Sequence, residues 1–238
     1  MRKTNQDKNL LKRILGAASV LLILATVFVS LVSCTSENQK TIDQINGMFA
    51  SNAPTKIEIS TKEVYGENDI ELNGTAVLVK GKYDGKNATI YTYERERFST
   101  IEEGSTEIIT PLIVTESGKK EYLEGKGVRV DGGRWDDEAY DFAPEVGAIN
   151  LNLSEKNLAN VMFEDGVFYA TIEAAHTSVV LGEAFAFDYD VELEIKVYDG
   201  FITSITLSYV VPEDDDYPEI IISIVANYYY GIQSVTVE

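Results

Sequence analysis

The chain has 238 residues, 45% of them apolar and 10% aromatic, which is enough for a packed core of one or at most two domains and unlike a disordered chain. Its formal charge of −19 is uneven: residues 1–33 hold five basic residues and one acidic residue, which leaves −19 − 4 = −23 on the remainder. So acidic a body argues against binding to nucleic acids, and a single cysteine excludes an internal disulfide.

The first 33 residues have the pattern of a secretory signal peptide. A basic segment ends at Lys12-Arg13, and an uncharged stretch follows from Ile14 to Ser33. It leads into Leu31-Val32-Ser33-Cys34, which resembles the lipobox of bacterial lipoproteins. In that family the cysteine sulfur receives a diacylglycerol and the peptide is cut immediately before it. The resemblance implies that Cys34, carrying acyl chains such as palmitate, becomes the first residue of a mature lipoprotein.

An uncleaved membrane-spanning anchor is the alternative interpretation, because about 20 apolar residues can cross a bilayer. Both interpretations place the acidic body outside the cytoplasm, since the positive residues stay inside. We therefore expect an extracytoplasmic protein anchored to the bacterial cell membrane. A catalytic role for Cys34 is not expected, because a nucleophilic thiol needs an activating base and His176 is the only histidine.

A polar tether and then a short helix are predicted next. Residues 34–40 are expected to form the lipidated tether. From Thr41 the sequence TIDQINGMFASN predicts a helix, with Thr41 as its cap, Gln44 three residues later and Pro54 beyond its end. The apolar residues of this helix fall on roughly one face: Ile42, Ile45 and Phe49.

After the helix the apolar period changes from helical to two, which is typical of strands. KIEIST and TAVLVKG precede Asp84-Gly85, a hairpin-turn signal, and ATIYTYERERF is the returning strand. Two further turns of the same kind are Asp165-Gly166 and Asp199-Gly200. Strands joined by tight turns are antiparallel neighbours, so the pattern predicts an antiparallel sheet.

The clearest strand pattern is FDYDVELEIKV, residues 187–197. Its apolar side chains alternate with acidic ones over the whole segment. Such alternation is typical of a sheet with one covered face and one wet face. The apolar positions are Phe187, Tyr189, Val191, Leu193, Ile195 and Val197.

The middle of the chain gives a weaker pattern. Residues 99–153 are rich in glycine and acids and predict a long loop or insertion. Ser154 is expected to cap a second short helix, EKNLANVMF, with Leu158, Val161 and Met162 inward. The predicted organisation is a signal peptide at 1–33, the tether at 34–40 and one β-rich domain at 41–238, hence a mainly β (α+β) fold with a few short helices.

Four segments together are similar to extracytoplasmic lipid-carrier lipoproteins. These are the lipoprotein-localisation-factor-like group, with the mycobacterial LppX and LprG type. The segments are Leu31–Cys34, Phe49–Ile59, the pair VELEIKVYDGFITSITLSY and the terminal NYYYGIQSVTV. The resemblance implies a curved antiparallel half-barrel closed by helices, whose apolar inner side holds lipid tails.

The expected function is non-catalytic binding or carriage of a hydrophobic or lipid ligand. The predicted ligand-facing wall is the apolar side of the clearest strand: Phe187, Tyr189, Val191, Leu193 and Ile195. Amphipathic tyrosines, which often line binding surfaces, add to it: Tyr91, Tyr93, Tyr189, Tyr228, Tyr229 and Tyr230. The alternative is a surface interaction protein with a filled core and an acidic partner-binding face.

No enzyme, cofactor or metal site is predicted. The acidic run 213–216 lacks the EF-hand spacing of a calcium loop. The acids between residues 131 and 141, near Trp135, give no sign of two carboxyls separated across a cleft, as glycosidases require. His176 lies close to Ser178 without a Gly-x-Ser-x-Gly turn, and on a strand edge it is expected to be structural or exposed.

Overall fold

A computed structural model describes residues 36–66, 70–99, 112–137, 151–182, 187–213 and 218–237. The chain divides into a compact unit, Thr41–Glu238, and a preceding unit, Met1–Lys40. Cys34 and the predicted signal segment lie outside the described residues.

Helices, 3₁₀ turns and strands follow one another in a simple order. They are α1 (Glu37–Ser51), β1 (Lys56–Tyr65), β2 (Ile70–Tyr83), β3 (Lys86–Ser99), β4 (Leu112–Leu123), β5 (Gly127–Val130), a 3₁₀ turn (Glu155–Asn157), β6 (Ala159–Glu164), β7 (Val167–Ile172), a second 3₁₀ turn (Ala174–His176), α2 (Thr177–Leu181), β8 (Val191–Tyr198), β9 (Phe201–Val211) and β10 (Ile220–Tyr229).

The ten strands of the described ranges form one antiparallel sheet in the order β5-β4-β3-β2-β1-β10-β9-β8-β7-β6. The sheet consists of two five-stranded meanders that are joined where the first strand pairs with the last, from Lys56↔Tyr229 to Tyr65↔Ile220. It is curved and remains open at β5 and β6. The predicted fold class, a mainly β half-barrel with short helices, is confirmed.

The three Asp-Gly pairs make the hairpin turns that the sequence predicts. Asp84-Gly85 has φ angles of 49° and 76°, Asp165-Gly166 of 51° and 80°, and Asp199-Gly200 of 50° and 79°. Positive φ at both central residues defines a type I′ turn, whose twist matches that of the flanking strands. Since the strands are antiparallel neighbours, all three turns lie at the same end of the sheet.

One face of the sheet carries most of the buried apolar side chains, and we call it the inner face. Cross-strand partners continue it across the sheet: Ile57, Leu78 and Tyr91 on β1–β3, then Ala226, Ile205, Ile195 and Phe168 on β10–β7. On β7–β9 its buried residues form one cluster with Ile42 and Ile45 of α1. The helix therefore covers the C-terminal meander.

Helix α1 begins earlier than predicted. The backbone N–H of Gln39 donates to the Ser36 hydroxyl at 3.0 Å, the bond of a helix cap, so Thr41 lies inside the helix. Residues 37–40 of the predicted tether are consequently helical. The predicted apolar face is confirmed, because Ile42 and Ile45 are fully buried.

Two predictions for the middle of the chain are wrong. Residues 159–164 form strand β6 instead of a helix, since Asn160 takes a positive φ of 52° at a bulge and the segment pairs with β7. The predicted loop at 99–153 contains β4 and β5. Four-residue β5 alternates too briefly for a period of two to be visible in its sequence.

The C-terminal segment crosses the opposite, outer face. Val235 and Val237 are buried against Ala88 of β3 and Leu123 of β4. Gly81 permits this approach, because a Cβ there would lie 2.5 Å from the Gln233 carbonyl oxygen and 2.6 Å from Val235. A second, smaller core thus lies on the outer side of the N-terminal meander.

Candidate ligand-binding surface

The predicted ligand wall on β8 lies within a filled core. Val191, Leu193 and Ile195 are on the inner face and at most 2% exposed. They belong to the same packed cluster as Ile42 and Ile45 of α1. Side chains of the protein itself therefore occupy the space in front of these three residues.

The other two predicted wall residues precede the strand. β8 begins at Val191, so Phe187 and Tyr189 lie in a bend rather than on the strand as predicted. The Thr177 hydroxyl accepts a hydrogen bond from the Phe187 backbone N–H at 3.0 Å, which ties the bend to α2. A side-chain partner from the preceding helix thus occupies the backbone N–H of Phe187.

The bend forms an aromatic cluster with Tyr209 of β9. The ring centroid of Phe187 lies 4.5 Å from that of Tyr209, and the ring of Tyr189 lies 6.4 Å from it and nearly parallel. Burial, then the charges of Glu63 and Tyr189, raise the pKa of the Tyr209 phenol. Tyr209 is therefore a neutral, stacked ring at ordinary pH, and its role was not predicted.

The inner face of the N-terminal meander is different, because tyrosines replace aliphatic residues there. Tyr91 and Tyr93 on β3 and Tyr122 on β4 are inner-face residues packed near Ile57 and Leu78. Tyr91 is buried, whereas Tyr93 and Tyr122 are partly exposed. We call these three tyrosines the tyrosine floor.

A glycine shapes the tyrosine floor. Gly118 of β4 is the cross-strand partner of Tyr93, and a Cβ at Gly118 would lie 2.6 to 2.9 Å from that ring. Without this atom the Tyr93 ring lies against β4. Its centroid is 5.8 Å from that of Tyr91 with an interplanar angle of 28°, so the two rings form a continuous surface.

Beyond the floor, β3 becomes cationic. Arg95 and Arg97 follow Tyr93 at successive inner-face positions. Arg95 donates to Oε2 of Glu116 at 2.9 Å, and Arg97 donates to Oε1 of the same carboxylate at 2.5 Å. The bond from Arg97, and after it the bond from Arg95, hold the pKa of Glu116 below its usual value. Two guanidinium groups share one carboxylate.

This arrangement of arginines and carboxylate was missed by the sequence analysis, although a signal was present. IYTYERERF, residues 90–98, places two tyrosines and two arginines at every second residue, which is one face of a strand. The alternation predicts a strand, but it does not show which residues of a neighbouring strand lie beside the two arginines. The partner Glu116 and the glycine at 118 could not be paired with it, because β4 itself was not predicted.

The three consecutive tyrosines near the C-terminus point to different places. Tyr228 is on the inner face and contacts both inner clusters, and burial raises its pKa far above the usual value. Tyr229 is on the outer face, where its hydroxyl donates to Glu58 at 2.7 Å. Tyr230 donates to the Ile202 carbonyl oxygen at 2.8 Å. They do not form one surface.

The acidic segments show local structural roles in the part of the chain that is described. Asp131 accepts a hydrogen bond from the Lys119 backbone N–H at 2.7 Å, and Asp136 bridges to Val128 through its backbone. The Arg129 guanidinium carbon lies over the Trp135 ring, 4.8 Å from the centroid of that ring. Of the run 213–216 only Glu213 is described, and residues 138 and 141 also lie outside.

His176 ends a 3₁₀ turn and is not on a strand edge as predicted. Its Nδ1 lies 3.7 Å from Oε2 of Glu173. Within the six described ranges, no group of three or more histidine, cysteine, aspartate or glutamate side chains could hold a metal ion. None of the helices in those ranges is long and apolar enough to cross a membrane.

An unpredicted buried ion pair holds β4 to β5 on the outer face. Glu121 is 1% exposed and accepts a hydrogen bond from Arg129 at 2.6 Å, with the Lys119 ammonium 3.1 Å away. Burial alone would raise the pKa of Glu121, but the bonds to Arg129 and Lys119 outweigh it, so its pKa is lowered. The carboxylate is therefore ionised at neutral pH.

Comparison with known proteins gives no functional assignment. No protein-family model and no curated protein matches the chain. Among solved structures, the monomeric M. tuberculosis PknI sensor domain is similar at 9% identity and a TM-score of 0.19, over 76% of this chain and 89% of that one. The dehydratase domain from the CurK module of curacin polyketide synthase, and an inactive mutant of the CurK dehydratase, each have 10% identity, a TM-score of 0.21 and 79% coverage of both chains. Likenesses this low carry no argument.

Proposed function

We propose that this protein is a membrane-anchored extracytoplasmic lipoprotein whose half-barrel binds a hydrophobic ligand without catalysis. The ligand lies over the inner face of β1–β4, not over β8. The observation that carries this proposal is the tyrosine floor, where the packed aliphatic core under α1 gives way to partly exposed rings on the same face.

The physical basis is the transfer of a hydrocarbon chain from water to this surface. Tyr93 and Tyr122 are joined there by Ile59 and Ala76, which are also only partly buried. Covering about 200 Å² of apolar surface in total would contribute about 5 kcal/mol before the costs of ordering ligand and protein. The favourable term is thus large enough for reversible binding.

The anchor is proposed from the lipobox-like segment that ends at Cys34. Metabolic labelling with a fatty acid in the native host should label the wild-type chain. The Cys34→Ala variant should lose the label and accumulate at its uncut size. A wild-type chain that takes up no label would refute lipidation and favour the spanning anchor.

The ligand is tested by native mass spectrometry of the protein purified from its own host. A bound hydrophobic molecule should appear as an additional mass that denaturation releases. Tyr93→Leu removes the aromatic ring and should reduce the fraction of protein that carries ligand. Tyr93→Phe removes only the hydroxyl and should leave that fraction unchanged. A protein that carries no such mass under any gentle condition would contradict ligand binding.

A second candidate function is a surface interaction protein with a filled core. The packing of Val191, Leu193 and Ile195 against α1 favours it, because the predicted wall has no room for a ligand. In this case the acidic outer face would contact a partner, and residues 151–238 hold sixteen acidic and two basic residues, 2 − 16 = −14. The Tyr93 variants separate the two functions, since they would leave partner binding on the outer face unchanged.

A further inference from the structure

The inner face of β3 has the polarity of an amphiphile. Tyr91, Tyr93, Arg95 and Arg97 occupy four successive inner-face positions, so the strand changes from aromatic to cationic along its length. With a rise of about 3.3 Å per residue, the Cα atoms of Tyr91 and Arg95 are about 13 Å apart. A chain lying along the floor would bring its end group to the arginines.

The two arginines carry more positive charge than their shared carboxylate neutralises. Glu116 contributes one negative charge against two guanidinium groups, which leaves a charge of +1. The arginine side chains are 63% and 51% exposed, so solvent and ligands can reach them. Guanidinium groups bind carboxylates and phosphates through a planar fork, so these are the end groups that the pair fits.

Charged neighbours on the same face do not cancel this excess. Lys120 is the cross-strand partner of Tyr91 and adds a further positive charge to the inner face. Glu63, on the inner face of β1, keeps its negative charge although the Tyr65 hydroxyl donates to it at 2.5 Å, but β2 separates it from the arginines of β3. Arg129, by contrast, donates to the buried Glu121 on the outer face. The cationic excess is thus local in a chain of charge −19.

We infer that the tyrosine floor and the arginine pair form one site for an anionic amphiphile, with its hydrocarbon on Tyr93 and its oxyanion on Arg95 and Arg97. This inference rests on the proposed function and names the class of ligand. Glu116 bonds to both guanidinium groups and therefore competes with the ligand oxyanion for them. A cross-strand ion pair alone would need only one arginine.

The test compares three probes that share one hydrocarbon chain: dodecanoate, dodecyl phosphate and the neutral dodecanol. The full chain is reconstituted in phosphatidylcholine nanodiscs, and empty nanodiscs supply the blank for partitioning into lipid. Wild-type protein should bind at least one anionic probe about tenfold more tightly than the alcohol, the gain expected from one additional charge-assisted hydrogen bond. Preference for dodecanoate assigns a fatty acid, and preference for the phosphate assigns a phospholipid-type headgroup.

Three variants decide whether the arginines recognise the anion. Arg95→Gln with Arg97→Gln should abolish the preference for the anionic probe while leaving the affinity for the alcohol unchanged. Arg134→Gln, at a position beyond β5, should have no effect and controls for the loss of a single positive charge. Glu116→Gln should tighten anion binding about tenfold, because it removes the competing carboxylate.

The outcomes separate this inference from the proposed function. Equal affinity of the wild type for all three probes, or an unchanged preference in the double arginine variant, would overturn the anionic site while leaving hydrophobic binding intact. Failure of every probe to bind would overturn the proposed function itself. Weaker anion binding by Glu116→Gln, with an unchanged thermal midpoint, would also overturn the competition that we infer.

Discussion

At the scale of single residues, the structure separates side chains that hold the sheet together from those that present a surface. Glu121 and Glu116 are both glutamates of β4 paired with arginine, yet Glu121 is 1% exposed on the outer face and Glu116 is 33% exposed on the inner face. A buried ion pair resists the loss of one partner, because the remaining charge is left without compensation. An exposed pair contributes little to stability and is available to ligands.

The first prediction concerns the buried pair. Glu121→Gln should destabilise the protein by about 3 kcal/mol, since the Arg129 guanidinium would face a neutral amide in place of the buried carboxylate. Urea unfolding followed by circular dichroism measures the change. Glu194→Gln, which affects the exposed pair with Lys196, is the matched control and should alter the free energy of unfolding little.

The pH dependence of this pair has a defined sign. Because the pKa of Glu121 is lowered in the folded state, its contribution is full above its usual value of 4.5 and is lost as the pH falls through the folded pKa. The stability difference between wild type and Glu121→Gln should therefore shrink as the pH falls below 4.5. A difference that grows on acidification would contradict the ionised pair.

The second prediction compares a glycine that touches a neighbouring ring with a glycine that has open space around it. Gly118→Ala places a methyl group 2.6 Å from the Tyr93 ring, whereas Gly47 in α1 has nothing within 4 Å. The first substitution should displace the ring, cost about 1 to 3 kcal/mol and lower occupancy by hydrophobic ligand. Gly47→Ala should stabilise by up to about 1 kcal/mol with no effect on ligand. An unperturbed ligand fraction in Gly118→Ala would contradict the role of the floor.

At the scale of secondary-structure elements, helix α1 determines which half of the inner face is packed as core. Ile42 and Ile45 fill the space over β7–β9 and convert a predicted ligand wall into core. No strand pattern could have revealed this, because alternation shows that a face is covered and not what covers it. Hairpin turns were predictable since Asp-Gly chemistry is local, whereas β6 depended on pairing with β7.

The remaining differences between prediction and structure come from contacts between residues that belong to different helices and strands. The pattern of FDYDVELEIKV includes Phe187 and Tyr189, but the backbone N–H of Phe187 bonds to the Thr177 hydroxyl of α2, and the strand begins only at Val191. Tyr93 and the arginines of β3 were visible in the sequence as alternating positions. Their shared carboxylate, Glu116, depended on the register between β3 and β4, which is a tertiary property.

The third prediction tests the helix as part of the core. Ile45→Ala should destabilise the protein by about 2 to 5 kcal/mol, because a fully buried side chain would leave a cavity against β8. Gln44→Ala, on the exposed side of the same helix, should change stability by less than about 0.5 kcal/mol. Both values come from chemical denaturation. Equal effects of the two substitutions would show that α1 does not cover β8.

At the scale of the whole molecule, charge is divided unevenly between the two meanders. The strongly acidic stretch 151–238 supplies β6–β10. Ten of the twenty basic residues lie between Lys80 and Arg134, in β2–β5 and the turns beside them. The tyrosine floor thus lies on the less acidic half of the sheet. An anionic amphiphile would meet less repulsion there than over β8.

The last prediction follows from this charge distribution. Like charges destabilise a compact state, and salt screens exposed charges over about 10 Å at 0.1 M ionic strength, so adding sodium chloride should raise the thermal midpoint. The double variant Glu213→Lys with Glu219→Lys changes two exposed sites near β9 and β10 and shifts the net charge by +4. It should unfold at a higher temperature in low salt and gain less from added salt. Since both substitutions lie away from β3, the preference for an anionic over a neutral amphiphile should survive them, and its loss would mean that long-range charge, and not the arginine pair, sets ligand choice.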